Sequence, residues 1–244
     1  MRKSQNSGYN DWIYIVDPEY SQNPEHYVRA FMIIQEDLLK LFQSIEPSDT
    51  NKNTYSFRTH ELLMRICIEV EANFKAILRE NTYTPKDKKG KPRLEKDWTM
   101  NDYRLLNKTH RLSDFRIEFP IWSGNDKIRQ PFLPWNGNGS IDWYNVYNRS
   151  KHDRIGSFQE ANFDTLLDSF AGLAALLASQ FNTQDFQPGA DLMAFHGANY
   201  GIGNYLIIHF PETWLEDEIY EFNWEDIKDK PDRFQKIDYN NIKY

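Results

Sequence analysis

The 244-residue chain has a single cysteine, Cys67, so no disulfide framework can form within it. Cys67 lies in an apolar helical pattern and reads as a small core hydrophobe rather than a nucleophile. Metal-ligand spacing is also missing. The six histidines are dispersed, with no His-x-x-x-His pair and no Cys/His grouping, and neither a metal nor another cofactor is expected. There is no Gly-x-Ser-x-Gly elbow, which removes that hydrolase architecture. "GANYGIG" (Gly197 to Gly203) lacks the Lys-Ser/Thr of a phosphate loop and does not stand between a strand and a helix. Excess positive charge is absent as well: a formal net charge of -7 excludes a broad phosphate-binding face, although a small local basic site remains allowed. The opening "MRKSQNSGYNDWIYIVDPEY" carries no apolar leader run. The longest apolar-rich stretch, Leu166 to Phe181, is interrupted by Asp168, Ser169 and Ser179. A cytoplasmic protein that does not engage a membrane is the expectation.

What the chain does have is helical periodicity and enough apolar residues, 40%, to build a sizeable core. From Pro24 to Ile45 the stripe is Val28, Phe31, Met32, Gln35, Leu38, Leu39 and Phe42. From Ser56 to Asn81 a row of Leu62, Ile66, Val70, Phe74 and Ile77, at steps of four and then three, is thickened by Leu63, Cys67 and Leu78. These two helices should form an antiparallel hairpin. A third helical pattern covers Ile141 to Lys151. A fourth, from Phe158 to Phe181, is apolar on most faces and should be the central helix of a bundle.

Between the second and third helices lies a loop-rich insertion, about residues 83–140. Its Lys86 to Lys96 stretch has a local balance of +4 and reads as a solvated surface loop, with an RNA-phosphate or partner contact as the alternative. Thr99 or Asn101 should cap a short helix reaching His110. "FRIEFPIW" (Phe115 to Trp122) reads as a strand that Pro120 confines to a sheet edge. "QPFLPWNGNGS" should be laid over the core. After Asn182, "YLIIHF" (Tyr205 to Phe210) and "DEIYEFNW" (Asp217 to Trp224) suggest a small β-hairpin. On this reading residues 1–182 form a mainly α bundle and residues 183–244 a C-terminal appendage packed on it through Trp214, Tyr220, Phe222 and Trp224.

The stretch that carries chemistry is "IDWYNVYNRSKHDR". Helical spacing puts Asn145, Asn148, Arg149 and His152 on one side, with Lys151 and Arg154 beside them. An amide, guanidinium and imidazole gathered at a helix end can hold and protonate a phosphodiester. The same cations in a last helical turn also answer the helix dipole, so a purely structural cap is the competing reading.

At these residues, with the helix order from about Glu25 to Phe181, the chain resembles the HEPN superfamily. These are all-helical bacterial and archaeal domains frequent in toxin–antitoxin, phage-defence and CRISPR-associated systems. The resemblance implies a HEPN-like helical bundle and a metal-independent endoribonuclease or RNA-binding protein of a bacterial defence or stress system. It also implies RNA, a cognate protein and a second copy of the chain as partners. On the family pattern Asn148 matches the polar residue and His152 the catalytic histidine, while Tyr147 stands where the family has arginine. Catalytic candidates are then His152, Arg149 and Asn148, and substrate-binding candidates Lys151, Arg154 and Asn145. "RLLNKTH" (Arg104 to His110) is an alternative motif with acceptable arginine-to-histidine spacing. A non-catalytic HEPN-like module that binds a protein partner, with Tyr147 in its core, is the alternative function.

Overall fold

The computed structural model describes residues 3–4, 8–9, 21–181, 205–211, 221–222, 229–231 and 234–243. Its described part is mainly helical, with a small three-stranded antiparallel sheet. Helix α1 (Pro24–Phe42) turns Val28, Phe31, Ile34 and Leu38 inward. Helix α2 (Phe57–Glu80) buries Leu62, Leu63, Ile66, Cys67, Val70, Phe74, Ile77 and Leu78. The observed stripe of α1 is narrower than its sequence suggests: Ile34 is buried, while Met32, Gln35, Leu39 and Phe42 are half-buried at its margins. The two helices run antiparallel. Asp37 late in α1 accepts from Arg65 early in α2 at 2.6 Å, whereas Gln22 before α1 donates to Glu80 at the end of α2.

Local chemistry starts α2 at a defined residue. The Ser56 Oγ accepts the Thr59 N–H at 3.1 Å, and the Thr59 Oγ1 accepts the Ser56 N–H at 2.7 Å. This reciprocal cap satisfies two N–H groups that the first turn leaves without intrahelical partners. Ser56→Ala is expected to cost ~1 kcal/mol, measured by urea denaturation.

Helix α3 (Met100–Tyr103) and helix α4 (Asn107–His110) are short and joined through a 3-10 turn, Arg104–Leu106. Helix α5 is Asp142–His152 and helix α6 is Phe163–Phe181. As its composition suggests, α6 is central, packing against α1, α2 and α5. Every residue from Ser169 to Gln180 is buried. Its polar side chains stay satisfied: Ser169 and Ser179 donate to the carbonyls of Leu166 and Leu176, and Gln180 donates to Asn73 of α2 at 3.1 Å. Gly172 has a steric role. A Cβ there would lie 2.8 Å from the Trp143 ring, so this glycine admits the indole of α5 between the helices.

The insertion supplies core rather than covering it. Tyr103, Leu106, Phe115, Ile117, Phe119, Phe132 and Trp135 belong to the same apolar cluster as the bundle helices. The Tyr103 and Phe74 rings stack at 5.1 Å, and the Trp135 and Phe74 centroids lie 5.9 Å apart. Strand β3 (Arg116–Glu118) pairs antiparallel with β4 (Ile128–Arg129) on one side and β5 (Ile207–His209) on the other. This corrects the expectation of an edge strand. Pro120 lies beyond the end of β3, where its missing N–H costs no ladder bond.

Among the described residues the two arms of the expected C-terminal hairpin pair elsewhere. Residues Ile207–His209 join β3, whereas β6 (Glu221–Phe222) pairs with β2 (Gly8–Tyr9). A further pair joins β1 (Lys3–Ser4) to β7 (Phe234–Gln235). The reason lies in the sheet: β3 offers a free side that pairs all three residues of β5 and buries Ile207 and Ile208. Closer to the end of the chain, Tyr239 is buried, its N–H donates to Thr82 and its hydroxyl lies 2.9 Å from the Thr109 Oγ1. Trp214, Tyr220 and Trp224, with the side chain of Phe222, lie outside the described residues.

Candidate functional site

Helix α5 runs antiparallel to α2, so its C-terminal turn lies near the first turn of α2. Its inner face is aromatic. Trp143, Tyr144, Val146 and Tyr147 are buried, and the Tyr144 hydroxyl donates to Glu71 of α2 at 2.5 Å. Tyr147, 2% exposed, lies 5.3 Å from the Tyr144 ring. Burial first, and the Glu71 carboxylate second, raise both phenols above their ordinary pKa and keep them protonated. Tyr147 is therefore a core tyrosine beside a carboxylate.

The outer face holds the candidates. Asn145 and Asn148 are half-buried, and Arg149, Lys151, His152 and Arg154 are exposed. Asn145 donates to the Ser140 Oγ at 3.1 Å, which places it at the entry of the helix rather than at its basic end. Arg149 is claimed by Glu160: its Nε donates to the Glu160 Oε2 at 3.0 Å and its Nη2 makes a second bond to the same oxygen. That pair ties α5 to the loop before α6 and partly offsets the Arg149 charge at the surface. Lys151 lies with its Nζ 5.6 Å from the Tyr147 ring centroid. His152 and Arg154 have no hydrogen-bond or ion-pair partner among the described residues. The helix end thus presents three exposed cationic or titratable groups, Lys151, His152 and Arg154, within four residues.

The alternative motif does not survive burial. His110 is 0% exposed, and its Nδ1 lies 2.8 Å from the Thr109 Oγ1. Burial holds its pKa well below the ordinary histidine value. It is a neutral core residue, out of reach of a substrate.

Other charged groups have structural explanations. A cleft of about 380 Å³ between α1 and α2 is lined by Lys40, Arg58 and Arg65, but each is paired: Lys40 with Glu36 at 3.1 Å, Arg58 with Glu61 at 3.6 Å and Arg65 with Asp37 at 2.6 Å. Arg129 of β4 is buried between Asp164 and Asp168 of α6, at 2.5 and 3.1 Å, with its guanidinium 5.1 Å from the Trp122 ring. Burial pushes the Asp168 carboxyl up to about 6 against the pull of Arg129. This network fastens the sheet to the central helix.

One group near the basic end went unassigned in the sequence. His60, in the first turn of α2, is buried against Phe158 with ring centroids 5.7 Å apart, and its Nε2 has no hydrogen-bond partner among the described residues. Burial and then the charge of Arg154 hold its pKa below the ordinary value. His60 and Phe158 are almost a hundred residues apart, so no local spacing could have joined them.

Comparison with protein-family models, curated proteins and solved structures finds no match to the chain. No helix of the described residues is long and apolar enough to cross a membrane.

Proposed function

We propose that the chain is a HEPN-like protein that binds RNA through the C-terminal end of α5, with Lys151, His152 and Arg154 holding the phosphodiester backbone. One observation carries the reading: these three groups stand exposed on the last turn and just beyond it, and neither Lys151 nor Arg154 is neutralised by an acidic partner among the described residues. Binding is favoured over cleavage by the one position that departs from the resembled pattern, Tyr147, and by the pairing of the nearest arginine, Arg149. Tyr147 is packed in the core beside Glu71, and the charge of Arg149 is partly offset by Glu160. The net charge of -7 confines such binding to this local site. A role in bacterial defence or stress follows from the resemblance alone, as does a cognate protein partner.

A second reading, metal-independent cleavage, keeps one specific support. The His152 ring is exposed and unclaimed, as a general acid/base must be before substrate arrives. In that version His152 takes the proton from a ribose 2′-hydroxyl as it attacks the adjacent phosphate, the P–O5′ bond breaks to leave a 2′,3′-cyclic phosphate, the departing 5′-oxygen takes a proton from the imidazolium or from water, and a second copy supplies the missing cation across a two-fold axis.

Fluorescence anisotropy with single-stranded RNA tests the first reading. The Lys151→Glu/Arg154→Glu double variant is expected to bind ~10-fold more weakly than wild type and to show a shallower salt dependence, because two phosphate contacts are reversed in sign. Unchanged affinity would end it. Incubation without metal separates the second: cleavage that His152→Ala abolishes, from a protein that sediments as a dimer, is its signature.

A further inference from the structure

Beside the basic end of α5 the surface turns aromatic. Phe57, the first residue of α2, is 70% exposed, and Tyr55 just before it is 45% exposed. Both pack on Phe158 of the α5–α6 loop: Tyr55 edge-on at 5.8 Å and Phe57 tilted at 4.9 Å. His60 backs the same ring from within, and the Tyr55↔Asn162 bridge fixes the two segments against each other. Ile155 in that loop is 89% exposed. Soluble proteins seldom leave a phenylalanine face open on a held scaffold, and such a cluster marks a surface with a partner.

The neighbouring charge says which partner. Arg154 lies close enough to His60 to depress its titration and has no acidic partner among the described residues, and Lys151 stands three residues earlier. Flat π-faces that are held from behind, with Arg154 beside them and Lys151 one helical turn back, match a strand whose bases are splayed and whose phosphates run alongside. Arg58 does not add to this charge, because Glu61 pairs with it at 3.6 Å. His60, kept neutral, extends the apolar surface behind Phe158 and adds no charge.

We infer that Tyr55, Phe57 and Phe158 form a nucleobase-stacking subsite for single-stranded RNA, with the phosphate between stacked bases directed to Arg154 and Lys151. This rests on the RNA-binding reading of α5 and extends it from a backbone contact to a base contact. Phe57 is the ring open to an incoming base, and Phe158 is the ring that holds it in place. Sequence preference should be slight, since every base has a π-face.

The test uses the full chain, a short mixed-sequence RNA and an abasic strand of the same length. Wild type is expected to prefer the base-bearing strand by at least ~5-fold, and Phe57→Ala to lose that preference while binding the abasic strand as wild type does. Phe57→Trp should restore it. Phe57 is largely exposed, so the alanine variant should keep its melting temperature. If RNA binds and Phe57→Ala retains the preference for bases, the subsite is wrong and the α5 reading stands. If wild type binds neither strand, both fall. If Phe57→Ala leaves RNA binding intact but lowers the sedimentation mass, the face is a contact between copies of the chain and the subsite is overturned.

Discussion

Replacing Asp102 with alanine is expected to lower the unfolding free energy by ~2–4 kcal/mol, seen as a lower urea midpoint at unchanged slope. Its carboxylate, 5% exposed, gathers donors from three points of the Tyr83 to Thr99 segment. Arg93 donates to it twice, at 2.8 and 2.9 Å, the Tyr83 hydroxyl at 2.5 Å and the Thr99 N–H at 2.6 Å. Without that acceptor a guanidinium, a phenol and a helix-start N–H lose their partner together, and breaking a buried pair costs ~3–5 kcal/mol. Arg93 is a quarter exposed and regains some hydration, which places the expected loss toward the lower end. The same carboxyl makes stability acid-sensitive. Burial opposes its ionisation, but the bonds from Arg93, Tyr83 and Thr99 outweigh burial and hold it below the ordinary aspartate value. Its contribution is complete above about pH 4, the unfolded-chain value, and fades as pH falls through the lower folded-state value. Asp102→Ala should therefore lose part of the wild-type decline on the acid side. An unchanged urea midpoint at neutral pH would contradict the argument.

The sequence was most informative where one period runs long enough to be read. The rows Leu62, Ile66, Val70, Phe74 and Leu166, Leu173, Leu177 were legible because their steps of four and seven residues return to one helix face, and all seven are buried. The insertion was not legible in the same way. Its buried residues sit on turns of three or four residues separated by short strands, so Leu106, Phe115, Phe119 and Phe132 share a core without sharing a period. Strand pairing failed for a related reason. Nothing local in "YLIIHF" distinguishes a partner a dozen residues ahead from β3, some ninety residues behind, and only the buried faces of the sheet decide. At the candidate site, spacing correctly separated the outer Arg149 and His152 from the inner Tyr147. It could not show that Glu160 claims Arg149 or that Glu71 accompanies Tyr147, since both partners come from other elements.

Leu173→Ala is expected to destabilise the chain by ~2–5 kcal/mol, the range for deleting a fully buried leucine, and the upper half of that range is favoured here. Leu173 is 1% exposed in the middle of α6, within a run whose other buried positions include Ala171, Ala174, Ala175 and Ala178. Small residues already bring the neighbouring helices close, so little slack remains to fill the lost volume. The surroundings are also pinned: Phe31 stacks on Phe170 at 5.2 Å, Trp143 rests on Gly172, and Gln180 bonds to Asn73. A site that cannot collapse keeps its cavity, and the cost rises with the volume retained. Ile155→Ala, at a residue 89% exposed, is the matched control and should change stability by less than ~0.5 kcal/mol. Calorimetry and urea denaturation read both. Because the α5 end is built on the surface, folded Leu173→Ala protein should keep the wild-type affinity in the RNA-binding assay of the proposed function, below its lowered melting temperature. A Leu173→Ala protein as stable as the Ile155→Ala control would mean that α6 is not the centre of the core.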